Sequence, residues 1–297
     1  MIDRFTPIHD PHASNDASND PRIEPYRNQK DAWLKASHNP NAIDQPPKDP
    51  LFISEGSLVL EHHINSHYPL HSVLIADTKL DTHADLLAKV PIDVPIYTAS
   101  REILDQITGY PIHRGLLAAG IRPPQNEVPQ FDDLLQSARA LVILEDLANH
   151  DNLGSVFRSV AALCGSGVPI LLSPKCCDPL YRKALRVSMG HALTIPFAYL
   201  PSEKDWPAIV TNLTSAGFTS LAMTPAPDAL GIDQYIQNRP SDQKIAILLG
   251  AEGPGLTQNA MNASDIRIKI PLASSADSLN ISVAAAVALH RLIPPNG

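Results

Sequence analysis

At 297 residues, 44% hydrophobic and 18% charged, the chain has room for two domains with cores of their own. No run of about eighteen apolar residues is present to span a membrane, and the opening MIDRFTPIHDPHASND lacks the basic-then-apolar order of a secretion signal. A formal net charge of −8 argues against bulk charge neutralisation as the way to hold nucleic acid, so any basic surface has to be local.

Three cysteines (Cys164, Cys176 and Cys177) supply neither a disulfide framework nor a CxxC pair, so a cytoplasmic setting and no metal are expected. Residues 1 to about 20 are rich in Asn, Asp, Ser, His and Pro and are expected to be disordered. DPRIEPYRNQKDAWLKA follows, with Tyr26 and Trp33 and room for a short docked helix from near Asn28. Prolines 40, 46, 47 and 50 then exclude a helix from the next linker.

From residue 51, short apolar strand-like runs (LFISE, LHSVLIAD, VPIYTAS, RGLLAAG) alternate with helix-like ones (SLVLEHHINS, DTHADLLAKV, REILDQITG). That alternation predicts a small α/β domain. His62, His63, His67 and His71 lack a matching set of Cys or carboxylates and are expected to be surface or capping residues rather than metal ligands. A proline-rich stretch from Ile121 separates this unit from a second α/β unit, whose strands are ALVILED, VPILLSP, FTSLAMTP, KIAILLG and IRIKIPLA. The expected organisation is an extension over 1–48, a small domain over 49–120, a linker over 121–138 and a larger domain over 139–297. Short β-rich runs bounded by Gly and Pro predict buried parallel strands in the larger domain.

Three pieces of that domain can carry chemistry. Asn152 and Gly154 follow the strand ending in Glu145-Asp146, with Arg158 one turn into the next helix. They read as a tight turn feeding a helix N-terminus, with Arg158 projecting back toward the loop. Gly250, Gly253 and Gly255 let a ligand lie against bare backbone, with Glu252 accepting hydrogen bonds to fix the loop. The Gly-Lys-Ser/Thr of a phosphate-binding P-loop is absent. Ser278 or Asn280 can cap the Ala/Val-rich final helix, after Pro271 has ended the preceding strand.

Taken together and in this order, NLGSVFRS, LLGAEGPGL and IPLASSADSLNISVAAAVALHRL resemble motifs one, two and three of the SpoU (TrmH-type) RNA 2′-O-ribose methyltransferases of the SPOUT superfamily. DPLYRKALRVSMG, with Arg186, Ser188 and Gly190, is similar to the helix that follows the first motif. LFISEGSLVLEHHI and the stretch through RGLLAAG resemble the N-terminal RNA-binding domain of the family's ribosomal-RNA branch. The resemblance covers nearly all the chain after about residue 20.

That resemblance implies a fold and a site. The fold would be α/β, a small N-terminal RNA-binding domain followed by a trefoil-knotted, parallel-sheet methyltransferase domain. The cofactor would be S-adenosyl-L-methionine, contacted by Gly250, Ile270 and Leu279, with no metal. A homodimer would build each site from two subunits, Arg158 facing the donor bound by the partner. Arg158 would be the catalytic residue, Asn152 and Glu252 would orient it and its loop, and Ser278 and Asn280 would line the site. The implied reaction is attack of a ribose 2′-oxygen on the donor methyl, in rRNA processing, with transfer RNA as the alternative substrate. A non-catalytic RNA-binding protein of this fold and a nucleotide-binding regulator are the other readings. Arg158, Lys175, Arg182, Lys183 and Arg186, against Asp178 alone, form the expected basic stretch, with Arg101, Arg114 and the Arg22/Arg27/Lys30 segment as additions. No membrane partner is expected.

Overall fold

The computed structural model describes residues 4–8, 20–27, 30–35, 50–109, 112, 114–124, 127–201, 205–273 and 277–293. Most of the expected disordered tail and most of the proline linker lie outside these residues. The chain divides into two compact units, Met1–Pro124 with Leu180–Thr194, and Gln125–Pro179 with Ile195–Gly297.

Unit 1 contains β1 (Phe5–Pro7), α1 (Asp31–Lys35), β2 (Leu51–Glu55), α2 (Ser57–Ile64), β3 (Leu70–Ala76), α3 (Ala84–Ala88), β4 (Ile96–Ala99), α4 (Arg101–Thr108) and β5 (Leu116–Ile121). Its five-stranded sheet has the order β1-β4-β3-β5-β2. Strand β3 pairs with β4 in parallel and with β5 antiparallel, and alternate residues feed opposite faces. Leu74 and Ala76 join one buried cluster with Leu51, Ile53 and Leu104, while Val73 and Ile75 join another with Leu60, Leu87 and Ile96.

Two sequence expectations fail here. Phe5–Pro7 adds a parallel strand against Ile96–Thr98, and Ile8 is buried, so this part of the N-terminal segment is structured. Four residues suffice because strand pairing satisfies their backbone groups while one side chain enters an existing core. His63 is no surface histidine. It is fully buried, with Nδ1 2.9 Å from Ser54 Oγ, and burial pushes its pKa down to about 4. No group of three His, Cys, Asp or Glu that could hold a metal occurs among the described residues.

Unit 2 contains α5 (Phe131–Ser137), β6 (Ala140–Glu145), α6 (His150–Cys164) and β7 (Ile170–Leu172). The chain then contributes α7 (Arg182–Val187) to unit 1 before returning to unit 2. There it forms β8 (Phe197–Tyr199), α8 (Trp206–Ser215), β9 (Phe218–Met223), β10 (Leu230–Gly231), α9 (Ile232–Asn238), β11 (Lys244–Gly250), α10 (Gln258–Ala263), β12 (Ile266–Lys269) and α11 (Ile281–Leu292). The seven strands run β10-β12-β9-β11-β6-β7-β8, every pair parallel. The expectation of buried parallel strands holds: Leu141 to Leu144 and Ile245 to Leu249 are almost inaccessible. One face packs under α5, α8 and α10 through Trp206, Ile209, Leu213 and Ala260, and α6 packs against α11.

The end of α7 explains two residues that the sequence reading singled out. Ser188 is buried, its Oγ donating to the Leu185 carbonyl and accepting from the Ala192 N–H. Gly190 has φ +91°, and a Cβ there would stand 2.9 Å from His62 Cβ and 3.1 Å from Val59 Cα, so α2 can approach only a glycine.

Candidate active site

The carboxyl ends of parallel strands are where α/β sheets bind ligands, because the chain leaves the sheet there in loops whose backbone is free to face a cavity. In unit 2, Met223 ends β9, Gly250 ends β11 and Ile270 directly follows β12. Together with the 251–256 loop and the 277–281 segment they line a cavity of about 410 Å³. That lies within the range of about 300–1,000 Å³ usual for small-molecule sites.

The glycine loop has a specific shape. Ala251 and Gly255 form a bridge, with the Gly255 N–H donating to the Ala251 carbonyl at 2.9 Å. Gly253 and Gly255 occupy the left-handed region, φ +89° and +72°. The tight return brings the chain back onto Gly250. A Cβ there would lie 2.0 Å from the Gly255 carbonyl carbon and 2.1 Å from the Leu256 nitrogen. Backbone, not a movable side chain, forbids any other residue.

Asn152 joins the loops. Its Nδ2 donates to Glu252 Oε2 at 2.9 Å, and its Oδ1 accepts from Asn280 Nδ2 at 3.1 Å. Asn280 Oδ1 in turn accepts from the Ser282 N–H and hydroxyl and caps α11. One buried amide therefore ties the glycine loop to the start of the last helix.

The tight turn expected at Asn152-Gly154 is not there. The helix starts earlier, because Asn149 is the cap and its side chain accepts from the Asp151 and Asn152 N–H groups. Asn152 and Gly154 thus sit inside α6, where Asn152 makes its two long-range bonds.

Of the predicted site residues, Gly250, Glu252, Ile270, Ser278, Leu279 and Asn280 line the cavity, and Asn152 is bonded to two of them. Arg158 is not among the lining residues. It is exposed on α6, six residues after Asn152 and about 240° further round the helix.

Sequence reasoning missed the support behind the loop. Glu145, buried at the end of β6, accepts from Trp206 Nε1 (2.9 Å), the Thr257 N–H (2.8 Å) and Thr257 Oγ1 (2.9 Å). Thr257 follows the loop and caps α10, so this carboxylate fixes the loop's far end. The signal was the charged residue closing an otherwise apolar strand. Beside it Asp146, at φ +56°, turns the chain out of β6, its N–H and carboxylate both engaging Ser173 Oγ. Met223, Thr224 and Met261 also line the cavity, the first two legible in hindsight as the end of FTSLAMTP. The thiols are poor nucleophiles: burial raises Cys164 and Cys176 and pushes Cys177 up to about 12.

Among the described residues no helix is long and apolar enough to cross a membrane. A family model described as the SpoU rRNA Methylase family matches residues 139–290. A protein of Mycobacterium bovis described as an uncharacterized tRNA/rRNA methyltransferase is 38% identical over 275 residues, covering 91% of this chain and 88% of that protein. Two solved structures share the fold. An AdoMet-bound rRNA methyltransferase from Sinorhizobium meliloti has a TM-score of 0.71 at 17% identity, with 97% of both chains covered. An RNA 2′-O ribose methyltransferase has a TM-score of 0.68 at 22% identity, again with 97% of both covered. With two of the three segments that the sequence singled out lining its cavity, and Asn152 of the third bonded to both, the chain belongs to the SpoU rRNA methylase family.

Proposed function

We propose that the chain transfers a methyl group from S-adenosyl-L-methionine to a ribose 2′-hydroxyl of structured RNA, with ribosomal RNA the first candidate and transfer RNA the second. The observation that carries this reading is the Asn280–Asn152–Glu252 chain of hydrogen bonds around the glycine-loop cavity. The fold neighbours described as AdoMet-bound and as a 2′-O ribose methyltransferase support it.

The cavity suits such a cofactor. Leu249, Leu256, Met261, Ile270 and Leu279 offer an apolar bed for a flat ring, and bare backbone at Gly250 to Gly255 offers polar groups without side chains in the way. Gly250, Ile270 and Leu279 would hold it, and when bound it supplies an electrophilic methyl that needs no metal. The protein's own work is positional. Asn152 and Glu252 keep the loop closed, and Ser278 and Asn280 present polar groups at its mouth.

Arg158 has the substrate-side role. Its planar guanidinium carries paired N–H donors, so it clamps a phosphate of the target nucleotide through two parallel N–H bonds and sets the 2′-oxygen in line. Its direction away from Asn152 is consistent with service to a partner subunit's cavity. The half-exposed Leu279 and Val283 at the start of α11 offer an apolar face for that homodimer. The trefoil knot belongs to this reading as well.

The test is methyl transfer from labelled S-adenosyl-L-methionine to separate unmodified ribosomal and transfer RNA pools, with Arg158→Ala alongside. Label mapped to a ribose 2′-oxygen in one pool, reduced about 100-fold in the variant, is expected. Donor binding with no label in either pool would replace this reading with that of a non-catalytic RNA-binding protein.

A further inference from the structure

The basic stretch of the sequence is divided by the fold. Arg182, Lys183 and Arg186 belong to unit 1, while Arg158 and Lys175 belong to unit 2. Within unit 1, α7 lies against β2. Arg182 Nε and Arg186 Nη1 stand 3.9 and 3.8 Å from the Glu55 carboxylate at the end of β2. The next residue, Gly56, has φ +94°, and a Cβ built on it would meet Arg114 Cδ at 2.7 Å and Nη1 at 2.9 Å. Three arginines from two distant parts of the chain converge on one dipeptide.

Glu55 is buried, and its Oε2 has no hydrogen-bond partner. A carboxylate taken out of water is costly unless compensated by charge. Compensation here is through space, since both distances exceed a hydrogen bond. Glu55 therefore faces both guanidinium groups at ion-pair distance, without a hydrogen bond to either. Asp31 Oδ1 accepts the backbone N–H of Arg182 at 3.3 Å, which holds the start of α7. The outer side carries the positive charge: Arg114, Lys183 and Arg186 are exposed, and the Arg182 side chain is 30% exposed.

We propose that Arg182 and Arg186, organised by the buried Glu55, form with Arg114 beside Gly56 a phosphodiester-binding site of unit 1 that grips the backbone of the RNA substrate. Planar forks held in fixed orientation fit phosphate oxygens in pairs, which a flexible lysine cannot do. A local site of this kind also answers the charge problem, because the chain as a whole is acidic and offers no general attraction. The inference rests on the RNA-methyltransferase reading.

The test measures binding of the full-length protein to a mixed-sequence RNA hairpin across a salt series. The variants are Arg114→Ala, Arg186→Ala, the double Arg114→Lys/Arg186→Lys, and Lys89→Ala as a charge control on exposed Lys89, which pairs with Glu61. Affinity for S-adenosyl-L-methionine and the melting temperature report folding in each. Each alanine variant is expected to weaken binding several-fold and to lower the slope of log affinity against log salt by about one. The lysine double should also lose affinity although its charge is unchanged, and Lys89→Ala should match wild type. Slopes unchanged in the arginine variants, or lowered equally by Lys89→Ala, would overturn the site while leaving RNA binding in place. Retention of full affinity by the lysine double would overturn the oriented grip. Wild type that binds no RNA would remove the methyltransferase reading and this site with it.

Discussion

The Asn152 amide donates to the Glu252 carboxylate at 2.9 Å across 100 positions of sequence. Its other atom accepts from Asn280, 128 positions away. A hydrogen bond to a charged group contributes about 1.5–3 kcal/mol. Asn152→Ala should therefore raise the Kd for S-adenosyl-L-methionine on the order of tenfold, by titration calorimetry. Asn152→Asp should do worse, since it sets a second carboxylate against Glu252. Equal affinity in all three proteins would mean the network does not hold the loop.

Gly250→Ala tests the loop by sterics alone. The added methyl meets backbone at 2.0–2.1 Å, so the 251–255 return must open. The expected cost is about 1–3 kcal/mol in denaturant unfolding, with donor binding abolished. Gly253→Ala is the contrast: open space surrounds its Cβ position, and only the left-handed backbone is strained. It should keep measurable binding.

Glu145 supports the same loop from behind. Glu145→Ala leaves the indole N–H of Trp206 and two donors of Thr257 without their acceptor, which costs about 3 kcal/mol or more. Glu145→Gln keeps the volume but turns one acceptor into a donor, and should fall between alanine and wild type. Urea midpoints would rank the three.

His63 makes a pH prediction for unit 1. Burial lowers its folded pKa from 6.5 to about 4, so the unfolded chain binds the extra proton first. The stabilisation is present above about pH 6.5 and drains away as pH falls toward 4, on the order of 3 kcal/mol in total. Melting curves at pH 7 and pH 5 should show the loss in wild type, and His63→Gln should flatten it. A pH-independent wild type between those values would contradict the neutral, buried imidazole.

The sequence already called for parallel strands, since Leu141 to Leu144 and Ile245 to Leu249 are apolar on both faces and only a doubly covered sheet accepts that. It also determined the cavity's chemistry, because the glycines at 250, 253 and 255 and the polar residues at 278 and 280 are local features with local consequences. Tertiary structure decided three things. It started α6 at a cap on Asn149, so that Asn152 lies inside the helix rather than in a tight turn and bonds Glu252 and Asn280. It sent α7 to unit 1, where Glu55 gathers two of its arginines. It placed Phe5–Ile8 in a sheet whose partner strand lies some ninety residues on. The physical reason is common to all three: hydrogen bonds and charge pairs between distant segments depend on where strands end in space, and no periodicity in the chain records that.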